Sequence, residues 1–201
     1  MTLQRLGLIV MLFVFSGSVL SNGTTAAAQS ESATPVPDLP LQYSATAFGQ
    51  AGAVAGKSFG LDVYITGWTS GQELQEFAAT LKKSGPDGLV RALEKTKDVG
   101  RLSPTGFVGS GFRVARYRTA PEGGLHIMML TNRPMSFGEL YRGSRSTGYQ
   151  FGILVMNIDK DGKGTGTLAP ACKIKFNKKG ELEIEHYGQK PWRLANVRRA
   201  K

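Results

Sequence analysis

Two stretches of this chain, residues 125–130 and 149–158, are apolar at nearly every position instead of at every second one. Successive side chains of a β-strand point to opposite faces, so strands of this kind bury both faces. Such strands lie in the middle of a sheet that is covered on both sides. The chain is therefore expected to contain a sheet with packed layers on both faces of these two strands.

The surrounding sequence has the alternation and the turns of an antiparallel sheet. Residues 59–65 alternate between apolar and polar positions, which predicts a half-buried strand. Asp161-Gly162 is a strong hairpin signal between two later strands. Further strands are predicted beyond Gly100 at 112–119, 124–131, 149–158 and 165–176.

One block of the chain changes to a helical period. Ser70 and Glu73 have the spacing of a capping box. Apolar residues then recur at i, i+3, i+4 and i+7, namely Leu74, Phe77, Ala78 and Leu81. Gly85 is expected to end this helix and Pro86 to begin a second one. The sequence thus predicts two helices after an early strand.

The last hairpin can be placed in register from its turn. Residues 177–180 (Asn-Lys-Lys-Gly) fit a type I turn followed by a left-handed glycine. Counting outward pairs Cys172 with His186 on the inner face and Lys173 with Glu185 on the outer face. Opposite charges on one face and apolar pairs on the other support this register over a slip by one residue.

These elements predict the α+β fold class, with an antiparallel meander sheet or partial barrel and two helices inserted after an early strand. The order of elements loosely resembles that of the helix-grip lipid-binding domains of the START and plant pollen-allergen type. Residues 192–201 are too short to supply the long C-terminal helix of that fold. The resemblance is one of topology and implies no functional residue.

The N-terminus has the pattern of a secretory signal peptide. Arg5 precedes an apolar run at 6–20, and the alanines at 26–28 suit cleavage before Gln29. The apolar run is shorter than the roughly 20 residues of a bilayer span. Cleavage after Ser21 and an uncleaved membrane anchor are the alternatives. The sequence therefore predicts export, to the periplasm or as a secreted protein, with no transmembrane span after signal cleavage.

Signal cleavage divides the chain into a signal peptide at 1–28, a flexible linker at 29–40 and a single α+β domain at 41–201. The net charge of +10 falls to +9 because Arg5 is lost with the signal peptide. The one cysteine excludes a disulfide framework and any multi-cysteine metal site within the chain. The basic residues are scattered, without the stripe or the interleaved aromatics of a nucleic-acid platform, so no nucleic-acid partner is predicted.

Two glycine-containing motifs resemble ligand loops but lack the necessary context. Residues 51–58 (AGAVAGKS) satisfy a relaxed phosphate-loop pattern, yet the predicted element after them is a strand, which offers no helix N-terminus to a phosphate. Residues 159–164 (DKDGKG) begin like a calcium loop, but Lys163 and Pro170 occupy positions that need oxygen ligands. Both motifs are interpreted as turns, and no cofactor is predicted.

Cys172 and His186 are the one pair that could supply a nucleophile and a base. The hairpin register places them on an inward face, without an orienting acid or a cation that would favour the thiolate. A zinc site would need His126 to converge with both. Burial explains these residues better, so no catalytic, cofactor-binding or metal-binding residue is predicted.

Taken together, the patterns predict an exported, non-enzymatic domain. Its expected partner is either an apolar ligand in a cavity between sheet and helices or an anionic envelope component, such as a polymer or lipid headgroup. The alternative is a small exported thiol-dependent enzyme that uses Cys172 and His186. A structural envelope protein without a ligand, and a basic surface that serves only solubility, are two further interpretations.

Overall fold

The computed structural model describes residues 36–135, 148–177, 180–186 and 190–200. The predicted signal peptide and residues 29–35 of the predicted linker lie outside these ranges. Among the described residues, no helix has both the length and the apolar character that crossing a bilayer requires.

Ten strands and one α-helix follow one another in the described part of the chain. The strands are β1 (Leu41–Phe48), β2 (Ser58–Ile65), β3 (Gly100–Pro104), β4 (Ser110–Phe112), β5 (Val114–Thr119), β6 (Leu125–Thr131), β7 (Phe151–Ile158), β8 (Lys163–Phe176), β9 (Leu182–His186) and β10 (Trp192–Arg199). The helix α1, Gly71–Glu94, lies between β2 and β3 in the chain, and a short 3-10 helix, Gly52–Val54, lies between β1 and β2.

The strands form one antiparallel sheet in the order β4-β3-β2-β1-β10-β8-β7-β6-β5, with β9 added to the second half of β8. The two outer strands of this order, β4 and β5, are consecutive segments of one strand that is interrupted at Arg113. At this point the strand changes its pairing partner from β3 to β6. The Phe112 carbonyl accepts from the Val99 N–H at 2.8 Å, next to β3, whereas the Arg113 N–H donates to the carbonyl of Leu130 in β6 at 2.9 Å. The two ends of the sheet therefore meet in a nearly closed barrel.

The predicted α+β class with two helices is wrong. Strands make up 49% of the structure, and a single helix accompanies the barrel-like sheet. Gly85 and Pro86 lie inside α1, where Gly85 adopts a φ of 66° and the helix kinks. Glycine adopts a positive φ without a steric penalty, and proline is tolerated where a helical turn begins again. Residues that predict a stop and a start therefore produce a kink.

The C-terminal segment, which is too short for the long helix of the helix-grip fold, is a strand. Trp192–Arg199 form β10, which pairs with β1 on one side and β8 on the other and so completes the barrel. The register shifts between Leu194 and Val197, both of which are buried, and Asn196 between them has a φ of 53°. This bulge breaks the period of two that reveals a strand in a sequence. Since the segment is a strand, the likeness to helix-grip domains does not extend to it.

Predictions drawn from local turns and caps are confirmed. The last hairpin has the predicted register, with Cys172 opposite His186 and the lysines opposite glutamates. Ser70 and Glu73 form the reciprocal hydrogen bonds of a capping box. The strand runs predicted after the helical block are observed as β4 with β5, then β6, β7 and β8.

The doubly apolar strands β6 and β7 contribute to two separate hydrophobic clusters, as their sequences predict. Inside the barrel, Met129 and Leu154 belong to a buried cluster to which every barrel strand contributes. On the outer face, Ile153 belongs to a second cluster with Leu89 and Leu93 of α1. The helix is therefore the layer that covers the outside of these strands.

Candidate functional site

The predicted nucleophile and base, Cys172 and His186, face each other across β8 and β9, but their surroundings do not favour catalysis. Cys172 is fully buried in the cluster beneath α1, and burial raises the pKa of its thiol to about 12. The thiol therefore stays protonated at neutral pH, whereas nucleophilic attack needs the thiolate. Burial also lowers the pKa of His186, and its Nδ1 has no hydrogen-bond partner within the described residues.

The third residue of the zinc set, His126, is held elsewhere. Its Nδ1–H donates to Oδ1 of Asn157, at the end of the barrel where β6 begins and β7 ends. Cys172 and His186 lie on the β8–β9 hairpin, towards the opposite end. Over the described ranges, no group of three or more His, Cys, Asp or Glu side chains is placed to hold a metal ion.

The glycine-containing segment 51–58 is a turn, as predicted. The Gly49 N–H donates to the carbonyl of Lys57 at 2.9 Å, and the Gly49 carbonyl accepts from the Gly56 N–H at 3.2 Å. These two hydrogen bonds join the start and the end of the connection between β1 and β2. β2 then starts at Ser58. Backbone N–H groups that a phosphate would need are thus bonded within the turn.

The calcium-like segment 159–164 is the tight turn between β7 and β8. One carboxylate oxygen, Oδ1 of Asp159, accepts from the N–H groups of Asp161 and Lys163, both at 2.9 Å. Gly162 adopts a φ of 75°, which this turn requires. The carboxylate stabilises the turn itself, in agreement with the sequence interpretation.

An open cleft of about 510 Å³ lies at this end of the barrel, between the β5–β6 and β7–β8 turns. Its lining includes Glu122, Asp159 and Asp161 together with the bonded pair His126 and Asn157. The three carboxylates are exposed, so they lack the burial by which general acids are tuned. We call this the turn end and define it by the β5–β6 and β7–β8 turns; its lining holds Lys160 and Lys163 beside the three carboxylates.

The opposite end of the barrel brings together three segments that are distant in sequence. Phe48, at the end of β1, lies directly opposite Arg193 at the start of β10. The β3–β4 loop, residues 105–109, lies on the other side of β2 from β1. The Thr105 N–H at the start of this loop donates to the carbonyl of Gly60 in β2 at 3.0 Å. Neighbouring strands are about 4.8 Å apart, so these segments form one continuous edge.

This edge combines positive charge with exposed apolar side chains. We call it the cationic rim and define it by Phe48, Lys57, Phe107, Val108, Lys190 and Arg193. Its three cations are exposed, and the described segments 48–58, 105–109 and 190–193 contain no Asp or Glu. Phe107 and Val108 are 76% and 94% exposed. The rim can therefore attract an anionic partner and offer it apolar contact as well.

Other arginines have structural roles. Arg113 forms an ion pair with Asp98 at 3.3 Å and donates to the Thr96 carbonyl at 2.6 Å. Arg116 donates to the carbonyl of Thr69 at 3.4 Å. Arg113 and Arg116 thus tie loops to the barrel, whereas the rim cations are exposed, as are other basic residues elsewhere on the surface.

Sequence reasoning did not find the rim, because no pattern along the chain connects its six positions. The one local signal is Phe107-Val108, an apolar pair between Gly106 and Gly109 in a turn, where burial is not expected. An apolar pair in a glycine-flanked turn is a candidate contact surface whenever it lies outside every predicted strand.

Comparison of the chain with protein-family models, with curated proteins and with solved structures finds no match. The fold and the site define the class on their own terms. It is a small antiparallel β-barrel with a packed interior, one kinked helix on its outer face and a cationic, partly apolar rim at one end.

Proposed function

We propose that the chain is an exported, non-enzymatic domain that binds an anionic component of the cell envelope through its cationic rim. The observation that carries this proposal is the placement of Lys57, Lys190 and Arg193, three exposed cations on adjacent segments that contain no carboxylate. Cations grouped in this way create a positive potential that attracts anionic partners and accelerates their association.

The packing inside the barrel favours this partner over an apolar ligand. Large side chains such as Tyr43, Phe112 and Trp192 are at least 98% buried there, together with residues from every barrel strand. An eight-stranded barrel is about as wide as its own inward side chains require, so a filled interior leaves the outer surface for binding.

The protonated thiol of Cys172 disfavours the alternative of a thiol-dependent enzyme. Burial opposes its ionisation, and within the described residues Cys172 has no exposed surface that a substrate could reach. Export remains a prediction from the pattern of residues 1–28, and it supplies the compartment in which phosphate-bearing lipids and polymers are the abundant anions.

Binding of the purified chain to dextran sulfate tests the proposal. We expect the double variant Lys190→Gln, Arg193→Gln to bind about tenfold more weakly or worse, because each cation near an anionic surface contributes about 1 kcal/mol. The control is Arg118→Gln, Lys160→Gln, which removes one lysine and one arginine from exposed positions near the turn end. Equal weakening in both variants would show that net charge alone attracts the polymer and would contradict a role for the rim.

A further inference from the structure

We infer that the anionic partner is a phospholipid bilayer, and that the β3–β4 loop, residues 105–109, inserts its apolar tip into the bilayer interface. This inference rests on the proposed function and names the partner of the same rim. Phe107 and Val108, the two most exposed large apolar residues of the described chain, are neighbours at this tip. A soluble polyanion would need only the cations, whereas a bilayer also accepts the apolar pair.

The loop is held in a conformation that presents the tip. The Thr105 N–H is bonded to Gly60 at 3.0 Å, and the Phe107 N–H donates to Pro104 at 2.9 Å. Gly106 adopts a φ of 84°, which a side chain would oppose. A Cβ at Gly109 would lie 2.2 Å from the carbonyl oxygen of Leu102, so the return to β4 also depends on glycine. The apolar pair therefore needs little ordering when it binds.

Cations flank the apolar residues at the level where phosphates would lie. Phe48, 39% exposed, has Arg193 directly opposite on one side and Ser58, next to Lys57, on the other. Along the rim, positive and apolar side chains thus alternate, which is the composition of a surface that lies in the headgroup region of an anionic membrane.

Sedimentation of the purified chain with vesicles tests this inference. The vesicles contain phosphatidylcholine mixed with phosphatidylglycerol, or phosphatidylcholine alone. We expect binding to the mixed vesicles, and about a hundredfold weaker binding by the double variant Phe107→Ser, Val108→Ser, since each buried apolar side chain contributes about a factor of ten or more. The control is Val36→Ser, which changes another exposed valine, 64% exposed, before β1 and away from the rim. It should bind within twofold of the unchanged chain.

The outcomes separate this inference from the proposed function. If the loop variant loses vesicle binding but still binds dextran sulfate within twofold, both proposals are supported. If the loop variant binds vesicles as well as the unchanged chain, or the chain binds dextran sulfate but no vesicle, the lipid inference is overturned and the anionic-partner function stands. If the chain binds neither probe, both are overturned. Equal binding to both kinds of vesicle would overturn the contribution of charge.

Discussion

Replacement of Trp192 by alanine is expected to lower the free energy of unfolding by about 3–5 kcal/mol, the cost of truncating a large aromatic side chain in a core. Trp192 is 2% exposed and lies opposite Leu168 of the neighbouring strand β8. It belongs to the hydrophobic cluster inside the barrel. Its ring meets that of Phe59 edge-on, with centroids 5.0 Å apart. Urea denaturation of the variant and of the unchanged chain measures the loss.

The next residue along β10 supplies the control. Arg193 is exposed on the outer face, so Arg193→Ala is expected to change the free energy of unfolding by no more than about 0.5 kcal/mol. The difference in stability loss between Trp192→Ala and Arg193→Ala tests whether successive side chains of β10 point alternately into and out of the barrel. Similar losses in both variants, or a small loss in Trp192→Ala, would show that this segment does not close the barrel.

The second large effect is a loss of stability at alkaline pH that depends on Cys172. The unfolded thiol ionises near pH 9.0, whereas burial raises the pKa of the folded thiol to about 12. Between these values the unfolded chain loses a proton that the native state keeps. The contribution of the buried thiol to the free energy of unfolding is therefore fully present below pH 9.0 and is lost as the pH rises towards the folded pKa. The slope is about 1.4 kcal/mol per pH unit, and the total approaches about 4 kcal/mol.

Cys172→Ala isolates this contribution, because the other alkaline groups, including Tyr43, whose pKa burial also raises, remain in both proteins. We expect the difference in unfolding free energy between the unchanged chain and the variant to shrink above pH 9.0 and then to reverse. If the unfolding free energies of the two proteins changed with pH in parallel, the native thiol would ionise as readily as the unfolded one. Labelling of the folded protein by a thiol reagent near neutral pH would point the same way and would favour the thiol-dependent alternative.

The predictable parts of the fold are those set by neighbouring residues. The register that places Cys172 opposite His186 follows from a turn and a charge pattern within fifteen residues. Closure of the barrel pairs Phe48 of β1 with Arg193 of β10, and no local pattern marks a contact across that separation. The irregularity at Asn196 also hides the period of β10, which is why this segment was not predicted to be a strand.

The place of the candidate site was not predictable from the sequence, and its partner stays a prediction. The net positive charge and the signal-peptide pattern made an anionic envelope component one of two expected partners, beside an apolar ligand, and the proposal retains the first of them. The rim takes its residues from β1, the β1–β2 connection, the β3–β4 loop and the start of β10, so only the closed barrel makes them neighbours. Kinking of α1 at Gly85, by contrast, had its signal in the sequence, and the choice between a stop and a kink depends on packing against β8 and its neighbours.

The most direct test of the central claim is residue-by-residue mapping of the contact surface by amide chemical shifts. Isotope-labelled chain would be titrated with short-chain phosphatidylglycerol as the anionic probe. We predict that the largest shifts occur in the β3–β4 loop, 105–109, and at Phe48 and Arg193, with little change in the turns at 120–124 and 159–162. Largest shifts in those two turns or along α1, with the rim unchanged, would contradict the cationic rim as the binding surface.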